Sequence, residues 1–466
     1  MRYALLACVA VGALAAGCGG GGQSNSAPSA PSVPPTPRAT TSATLGLSTG
    51  PSKIAHVIFV VQENRSFDDI FGGLDASGNP FPGADTVSNP VPGEPTPHDH
   101  LGNPVKMASG LLEECFSPAH DHPQAVADID GGAMNGFDLE VVGRDGCSQG
   151  TPPPDYSYRY ITESEVDPYW RIAEQYALAD RMFEPVGADS FSGHLYSIAA
   201  QTAGTLDAPS LSPWGCDAPL TSRVPVFADG HEISGVYPCF DIPTLATMLD
   251  ARRVSWRYYA AGPSDYGYLW STFDAIRSVR EGPEWSANVV SPPGQFLSDV
   301  QSGTLAAMTW VTPTLDDSDH PVSADNLGPS WVASVVNAIG TSRFWQNSAI
   351  FIMWDDWGGW YDHYPPPVVS QAGLGIRVPL IVVSPYARSA YVSHVAHTSG
   401  SVLHFSEEAL GLPSLGLEDA RADDLRDVFN FAQTPTAFVP FTVPQAARAR
   451  RTSATWRKPY GVPPDD

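Results

Sequence analysis

The chain has 466 residues, of which 42% are apolar and 10% aromatic, enough for a substantial core and against wholesale disorder. Lys and Arg number 25 against 50 Asp and Glu, a formal charge of −25. This argues against a nucleic-acid backbone as main partner, because neutralising phosphates needs a basic footprint, and an anionic substrate would have to be met by a local cation such as a metal.

The first 18 residues read as an export signal. Arg2 precedes an apolar run, Tyr3 to Ala16, too short to cross a bilayer. The run ends Leu14-Ala15-Ala16-Gly17-Cys18, which resembles a bacterial lipoprotein signal with Cys18 as the lipidated residue, although the leucine stands one position early. Residues 19–52 are Gly, Ser, Pro, Thr and Ala with almost no large apolar side chain, and read as a disordered tether. The remaining cysteines, Cys115, Cys147, Cys216 and Cys239, are even in number in an exported chain, which favours disulfides over a metal site. Proximity pairs Cys115 with Cys147 and Cys216 with Cys239, one of three connectivities that four cysteines allow.

Folding starts at Ile54, and residues 53–435 read as one catalytic domain. An apolar strand, Val57 to Val61, ends in Glu63 and Asn64, with a helical turn marked by Phe67 and Phe71. Residues 73–163 are rich in Pro, Gly and Asp and read as long loops, within which His120 and His122 flank Asp121. Asp167 to Arg181 reads as an amphipathic helix with Asp167 as N-cap and Pro168 in its first turn. Beyond it a Gly- and Ser-rich turn presents Ser190, with a helix starting near His194. A serine there can share helix-start N–H groups with a bound anion, or be no more than an N-cap. A helix over Ile242 to Arg253 and a strand over Val254 to Ala260 follow.

Leu305 to Val311 is a buried strand leading into Asp316, Asp317, Asp319 and His320, and Trp331 to Ile339 is a helix. The next strand, Ala349 to Met353, runs into Asp355-Asp356, a Gly358-Gly359 turn, Asp362-His363 and three prolines. Arg377 to Val383 is another strand, and Ser399 to Leu410 a helix capped by Ser399. Residues 436–466 form a Pro-rich tail with Arg448, Arg450, Arg451, Arg457 and Lys458, a solvated terminus or a minor contact for anionic lipid. Short strands alternating with helices make an α/β fold with a mainly parallel central sheet.

Ligands bind outside the carboxyl ends of parallel strands, and here those ends carry Glu63-Asn64, Asp319-His320 and Asp355-Asp356. Such oxygen donors suit Ca, Mg or Mn, or Zn if histidines join. A cation there would let the Ser190 hydroxyl attack phosphorus to give a phosphoseryl intermediate, which water hydrolyses. His320 and His363 would donate to phosphoryl oxygens or protonate the leaving group. The plainer reading of Asp355-Asp356, a helix N-cap with a solvated neighbour, fits poorly with the glycine turn and the Asp-His pair beyond it.

The segments ENRSFDDIFG (63–72), DHP (319–321), WDDWGGWYDHYPPP (354–367) and GIRVPLIVVSPYA (375–387) resemble the bacterial phosphoesterase family, which contains phosphatidylcholine-hydrolysing phospholipases C and acid phosphatases. The resemblance implies an alkaline-phosphatase-like α/β/α sandwich. It implies metal binding by Glu63, Asn64, Asp355 and Asp356, the last in place of the family's glutamate. Ser190 matches the nucleophile, and His122, His320 and His363 match histidines around the phosphate, whereas His120 has no firm counterpart. The family's Pro-Thr-x-Pro-Asn-Arg turn is Asp189-Ser190-Phe191-Ser192-Gly193-His194 here, so Ser192 is a rival nucleophile, and the arginine's phosphate contact either falls to His194 or is lost; His194 and His120 are the candidate substrate-binding residues. The implied substrate is a phospholipid diester, the alternative a phosphomonoester, with a membrane contact through the lipid anchor and no protein partner. The clustered aromatics Trp354, Trp357, Trp360, Tyr361 and Tyr364 suit either an apolar entrance for lipid or core packing. The reading from another class is a surface lipoprotein that binds a ligand without turnover. Intact acids and a serine at the nucleophile position argue against it.

Overall fold

The acid-tipped strands lie side by side at the centre of the fold. The computed structural model describes residues 50–443 except 113–115, 144–149, 229–230, 322–326 and 369–372. The signal, nearly all of the tether, the end of the tail, and Cys18, Cys115 and Cys147 lie outside the described residues. In chain order the strands of the central sheet are β1 (His56–Gln62), β2 (Ala177–Phe183), β3 (Trp256–Tyr259), β4 (Val289–Val290), β5 (Met308–Val311), β6 (Ser348–Trp354), β7 (Arg377–Val383) and β8 (Tyr391–Ser393). They are arranged β4-β3-β5-β1-β6-β7-β2-β8. All pairings are parallel except those of β7, which runs against both β6 and β2. Pro379 lacks an N–H for the ladder, and the β7–β2 register shifts across it.

The principal helices are α1 (Phe67–Phe71), α2 (His122–Ile129), α3 (Glu163–Gln175), α4 (Ser190–Ala199), α5 (Leu245–Arg252), α6 (Gly328–Gly340) and α7 (Ser399–Leu410). They cover both faces of the sheet. Side chains three apart on a strand point to opposite faces. On β6, Trp354 meets Tyr169 of α3 at a ring separation of 4.9 Å, whereas Phe351 meets Phe405 of α7 at 5.1 Å. The α/β expectation is therefore met, with one antiparallel strand inside a mostly parallel sheet. Among the described residues no helix is long and apolar enough to cross a membrane. Cys216 and Cys239 form a disulfide.

Several boundaries differ from expectation. The helix expected over Asp167 to Arg181 is α3, which begins after Thr162 and stops at Gln175. Asp167 is not its cap but an i,i+4 partner of Arg171 at 2.6 Å, and Pro168 sits inside the helix beside a kink at Val166. The run ALADRMF is helix-favouring by composition but becomes β2, because the β7 and β8 edges supply its backbone partners on both sides. Helix α4 starts at Ser190, four residues before the expected start, and Thr398 rather than Ser399 caps α7.

Candidate active site

β1 and β6 pair in register through Gln62 and Trp354, so the next residues of both chains emerge together. Asn64 has a φ of 57°, a left-handed conformation that Asn tolerates better than most residues. Its N–H donates to Asp355 Oδ1 at 2.9 Å, and its Nδ2 donates to Asp356 Oδ1 at 3.3 Å. Gly358 must be glycine. It has a φ of 64°, and a Cβ there would lie 2.3 Å from the Asn64 carbonyl oxygen. This close approach lets the Gly358 N–H donate to Asp356 Oδ1 at 2.7 Å.

β2 brings the third segment. After Phe183 the chain turns through Glu184 and Gly187 into α4, whose first residue is Ser190. The Ser190 hydroxyl donates to Asp356 Oδ2 at 3.0 Å. One turn along α4, His194 Nε2 lies 3.0 Å from Glu63 Oε1 and 3.5 Å from Asp355 Oδ2. The helix can sit this close because residue 193 is glycine, where a Cβ would be 2.5 Å from the Asp355 carbonyl oxygen. Glu63, Asn64, Ser190, His194, Asp355 and Asp356 are all buried.

Buried carboxylates need a compensating charge. Burial by itself raises the Asp355 pKa, but hydrogen bonding and charge from His194 bring the net shift below the usual carboxylate value. Three acids with one imidazole still carry an excess of negative charge. Asn64 Oδ1 is buried without a hydrogen-bond partner. Glu63, His194 and Asp355 also present ligand atoms within 4.8 Å of one another. Hard oxygen donors, an orphaned amide oxygen and one imidazole fit a divalent cation. His194, expected to touch phosphate, lies with Glu63 and Asp355 in this group of candidate ligands.

The other histidines are placed differently from one another. His120 is buried against the cluster. Its Nδ1 donates to the Pro118 carbonyl oxygen at 3.0 Å, leaving Nε2 to accept from Asn64 Nδ2 at 2.8 Å. His122 opens α2, and its Nδ1 meets the Gly187 carbonyl oxygen at 2.5 Å, so it holds the turn before Ser190. His320 is buried beyond β5 with its ring 6.0 Å from that of Trp270. Its neighbour Asp319 accepts from Tyr169 Oη at 2.7 Å and from Trp354 Nε1 at 2.9 Å, and burial lifts its pKa to about 7. Asp319 anchors the loop through these hydrogen bonds. His363, expected around the phosphate, is held by two acids. Its Nδ1 lies 2.5 Å from Asp68 and its Nε2 3.2 Å from Asp85. Both nitrogens are thus engaged by a second buried network, centred on Arg377. Ser192 Oγ is 3.2 Å from Thr205 Oγ1.

Four of the five aromatics at the end of β6 and beyond it are core, and Tyr364 is half-buried. Trp354, Trp357, Trp360 and Tyr361 are fully buried. Trp357 Nε1 donates to Asp128 at 3.0 Å, and the Tyr361 ring stacks on Tyr158 at 4.9 Å.

Sequence reasoning missed Glu184. Its Oε1 accepts the Trp357 N–H at 2.9 Å and its Oε2 faces the Ala188 N–H at 3.5 Å, so one carboxyl group joins the Asp356 turn to the Ser190 turn. Burial first, and then Asp356 and Asp355, hold its pKa well above the carboxylate range. A signal existed. Reading 177–183 as a strand would have made Glu184 an acid at a strand's carboxyl end, like Glu63 and Asp355. Glu184→Ala orphans two N–H groups and is expected to cost about 1–3 kcal/mol in urea unfolding, together with a loss of activity. Unchanged stability and activity would rule out the bracing role.

The model of the Phosphoesterase family matches residues 54–413. Phospholipase C A of Mycobacterium tuberculosis is 23% identical, covering 83% of this chain and 79% of its own length. The hemolytic phospholipase C of Pseudomonas aeruginosa is 24% identical, covering 88% of this chain and 61% of its own length. Non-specific phospholipase C6 of Arabidopsis thaliana is 23% identical over 88% and 79%. Among solved structures, an alkaline phosphatase superfamily protein from Vibrio parahaemolyticus is similar at a TM-score of 0.34 and 8% identity, covering 68% of this chain and 69% of that one. The chain belongs to the Phosphoesterase family and is a phosphoester hydrolase.

Proposed function

We propose that the chain is an exported hydrolase of phospholipid diesters that uses Ser190 as nucleophile and passes through a phosphoseryl intermediate. The observation that carries this reading is the Ser190–Asp356 hydrogen bond of 3.0 Å beside the Glu63, Asn64, Asp355 and His194 cluster. A divalent cation held by Glu63, Asn64, Asp355, Asp356 and His194 would polarise a phosphoryl oxygen and favour the ionised hydroxyl. Ser190 Oγ bonds to phosphorus as its proton leaves toward Asp356, and the alcohol oxygen of the ester departs with a proton from His320. Water then adds to the phosphoserine, releasing the phosphorylated head group and restoring the hydroxyl. His120 and Glu184 hold Asn64 and the two turns in place. The phospholipase C relatives support the phospholipid as substrate, and the signal-like N-terminus supports export with Cys18 as lipid anchor.

Acid quenching during turnover tests the intermediate. The phosphorylated head group is expected on the peptide that carries Ser190, located by fragmentation to that residue. That group on Ser192 alone, or on no residue under burst conditions, would refute it. Exhaustive chelation is expected to lower activity on phosphatidylcholine at least about a hundredfold, with recovery on adding one divalent cation. A chromogenic phosphomonoester turned over faster than phosphatidylcholine would favour the acid-phosphatase alternative.

A further inference from the structure

Away from the acids that follow β1 and β6, a second histidine stands between two carboxylates. His397 ends the connection from β8 to α7, one residue before Thr398 caps that helix. Its N–H donates to the Arg181 carbonyl oxygen at 2.8 Å, and its carbonyl oxygen accepts the Phe183 N–H at 2.9 Å. The backbone is thus pinned along the end of β2, and the side chain is fully buried. The acids come from the loop that follows α7. Asp423 Oδ1 accepts the Leu425 N–H at 2.8 Å, and Asp427 lies in a 3-10 turn (Arg426–Val428). Their side chains are 32% and 24% exposed, within reach of solvent. Ligand atoms of the three residues lie within 4.8 Å of one another.

The hydrogen bonds around the ring fix its tautomer. Ser393 Oγ donates to Asp427 Oδ2 and lies 3.1 Å from His397 Nε2. A hydroxyl whose one hydrogen goes to Asp427 can only accept from Nε2, so Nε2 carries the imidazole hydrogen and Nδ1 keeps a lone pair. Nδ1 is 3.1 Å from Asp423 Oδ1 yet makes no hydrogen bond, and the buried Asp427 Oδ1 makes none either. An imidazolium would aim its Nδ1–H at Asp423 and form that bond. Two lone-pair atoms this close repel unless a cation lies between them, and the ligand atoms of one tetrahedral zinc ion stand roughly 3.3 Å apart. Among the described residues neither acid pairs with an arginine or lysine. Arg426, next to Asp427, is taken by Glu408 and Asp424. The group around His363 differs, because Arg377 already balances its acids. Two carboxylates and a neutral imidazole match the charge of a divalent cation, and the imidazole favours zinc over calcium or magnesium.

We propose that His397, Asp423 and Asp427 form a zinc site, separate from the one beside Ser190, that clasps the loop after α7 to the edge of the sheet at β2. Nδ1 and one oxygen of each acid are the ligands, with water as the fourth from the exposed side. Ser393 holds both the imidazole and Asp427 in place. The test uses the full chain with Glu63→Gln and Asp355→Asn, which disable the other cluster. Stripped by chelation and titrated with zinc in a calorimeter, this chain is expected to take up one equivalent, and its melting temperature to rise by a few degrees. Adding Asp423→Asn and Asp427→Asn is expected to abolish both the uptake and the rise. Asparagine still accepts from the Leu425 N–H and from Ser393, so in chelator the melting temperature should be no lower than before. With Glu63 and Asp355 intact, the Asp423 and Asp427 substitutions are again expected to remove one equivalent, whether or not the cluster beside Ser190 takes zinc. No uptake by the first chain, or equal uptake with and without the Asp423 and Asp427 substitutions, would overturn the site.

Discussion

Ser190→Ala is expected to lower kcat/KM by about a thousandfold or more on whichever phosphoester the wild type hydrolyses, because it removes the atom that bonds to phosphorus. The substitution deletes one hydroxyl at a helix start that the described residues already enclose, so the fold should survive and the melting temperature change little. Ser192→Ala is the matched control. Its hydroxyl meets Thr205 Oγ1, not the acid cluster. The expected loss is one hydrogen bond, about 0.5–1.5 kcal/mol of stability, with activity held within an order of magnitude. Inverted results would move the nucleophile to Ser192 and remove the basis for the Asp356 proton path. Asp356→Asn separates two functions. It keeps an oxygen acceptor for the Gly358 N–H but removes the charge, so activity should collapse while the glycine turn persists. Retained activity would exclude Asp356 from taking the proton.

The parts of the site legible in the sequence are those where strand and acid are contiguous. Glu63-Asn64 after β1 and Asp355-Asp356 after β6 could be read because a buried apolar run points directly at them, and the register of Gln62 with Trp354 sets them side by side. β7 was also legible as a strand, since six of its seven residues are apolar and such a run has few alternatives, but its direction was not. Direction depends on the connection, and the Pro-rich path from β6 returns along the sheet instead of crossing over. β2 was hidden because ALADRMF has helical composition and gains its strand geometry from partners some 200 residues away. Glu184 was hidden with it. The histidines were the least legible. Two positions separate His120 from His122, yet one reaches Asn64 and the other the Gly187 carbonyl oxygen, a difference made by where α2 begins. His363 follows an Asp in a segment full of site residues, and only the position of Arg377 on the antiparallel strand shows which network claims it.

That network carries the second large effect. Arg377→Met is expected to destabilise the protein by about 3–5 kcal/mol, the usual cost of stranding buried charges whose partner is removed. Arg377 is fully buried. Its Nε donates to Asp362 Oδ1 at 2.8 Å, and its Nη1 donates to the carbonyl oxygens of Asp180 at 2.8 Å and Asp85 at 3.1 Å. A methionine fills the space but leaves Asp362 and Asp68 without the guanidinium, and both carbonyls without a donor. Arg377→Lys keeps the charge and loses the fork, so it should fall between the two. His363 supplies the other cation. Burial lowers its pKa, but the charge and hydrogen bond of Asp68, followed by the hydrogen bond to Asp85, outweigh this and raise it from 6.5 to about 10. A histidine held above its unfolded value stabilises the fold fully below pH 6.5, and that contribution fades as pH climbs toward 10. On the acid side Asp85, lowered from 3.8 to about 2, loses its contribution as pH falls through that interval. Urea unfolding at pH 6, 8 and 10 should therefore show wild-type stability declining by on the order of a few kcal/mol. His363→Gln should be less stable at pH 6 and flatter across the series. Parallel wild-type and His363→Gln curves would mean that the imidazole is neutral in the folded protein, and that Arg377 alone balances Asp68 and Asp362.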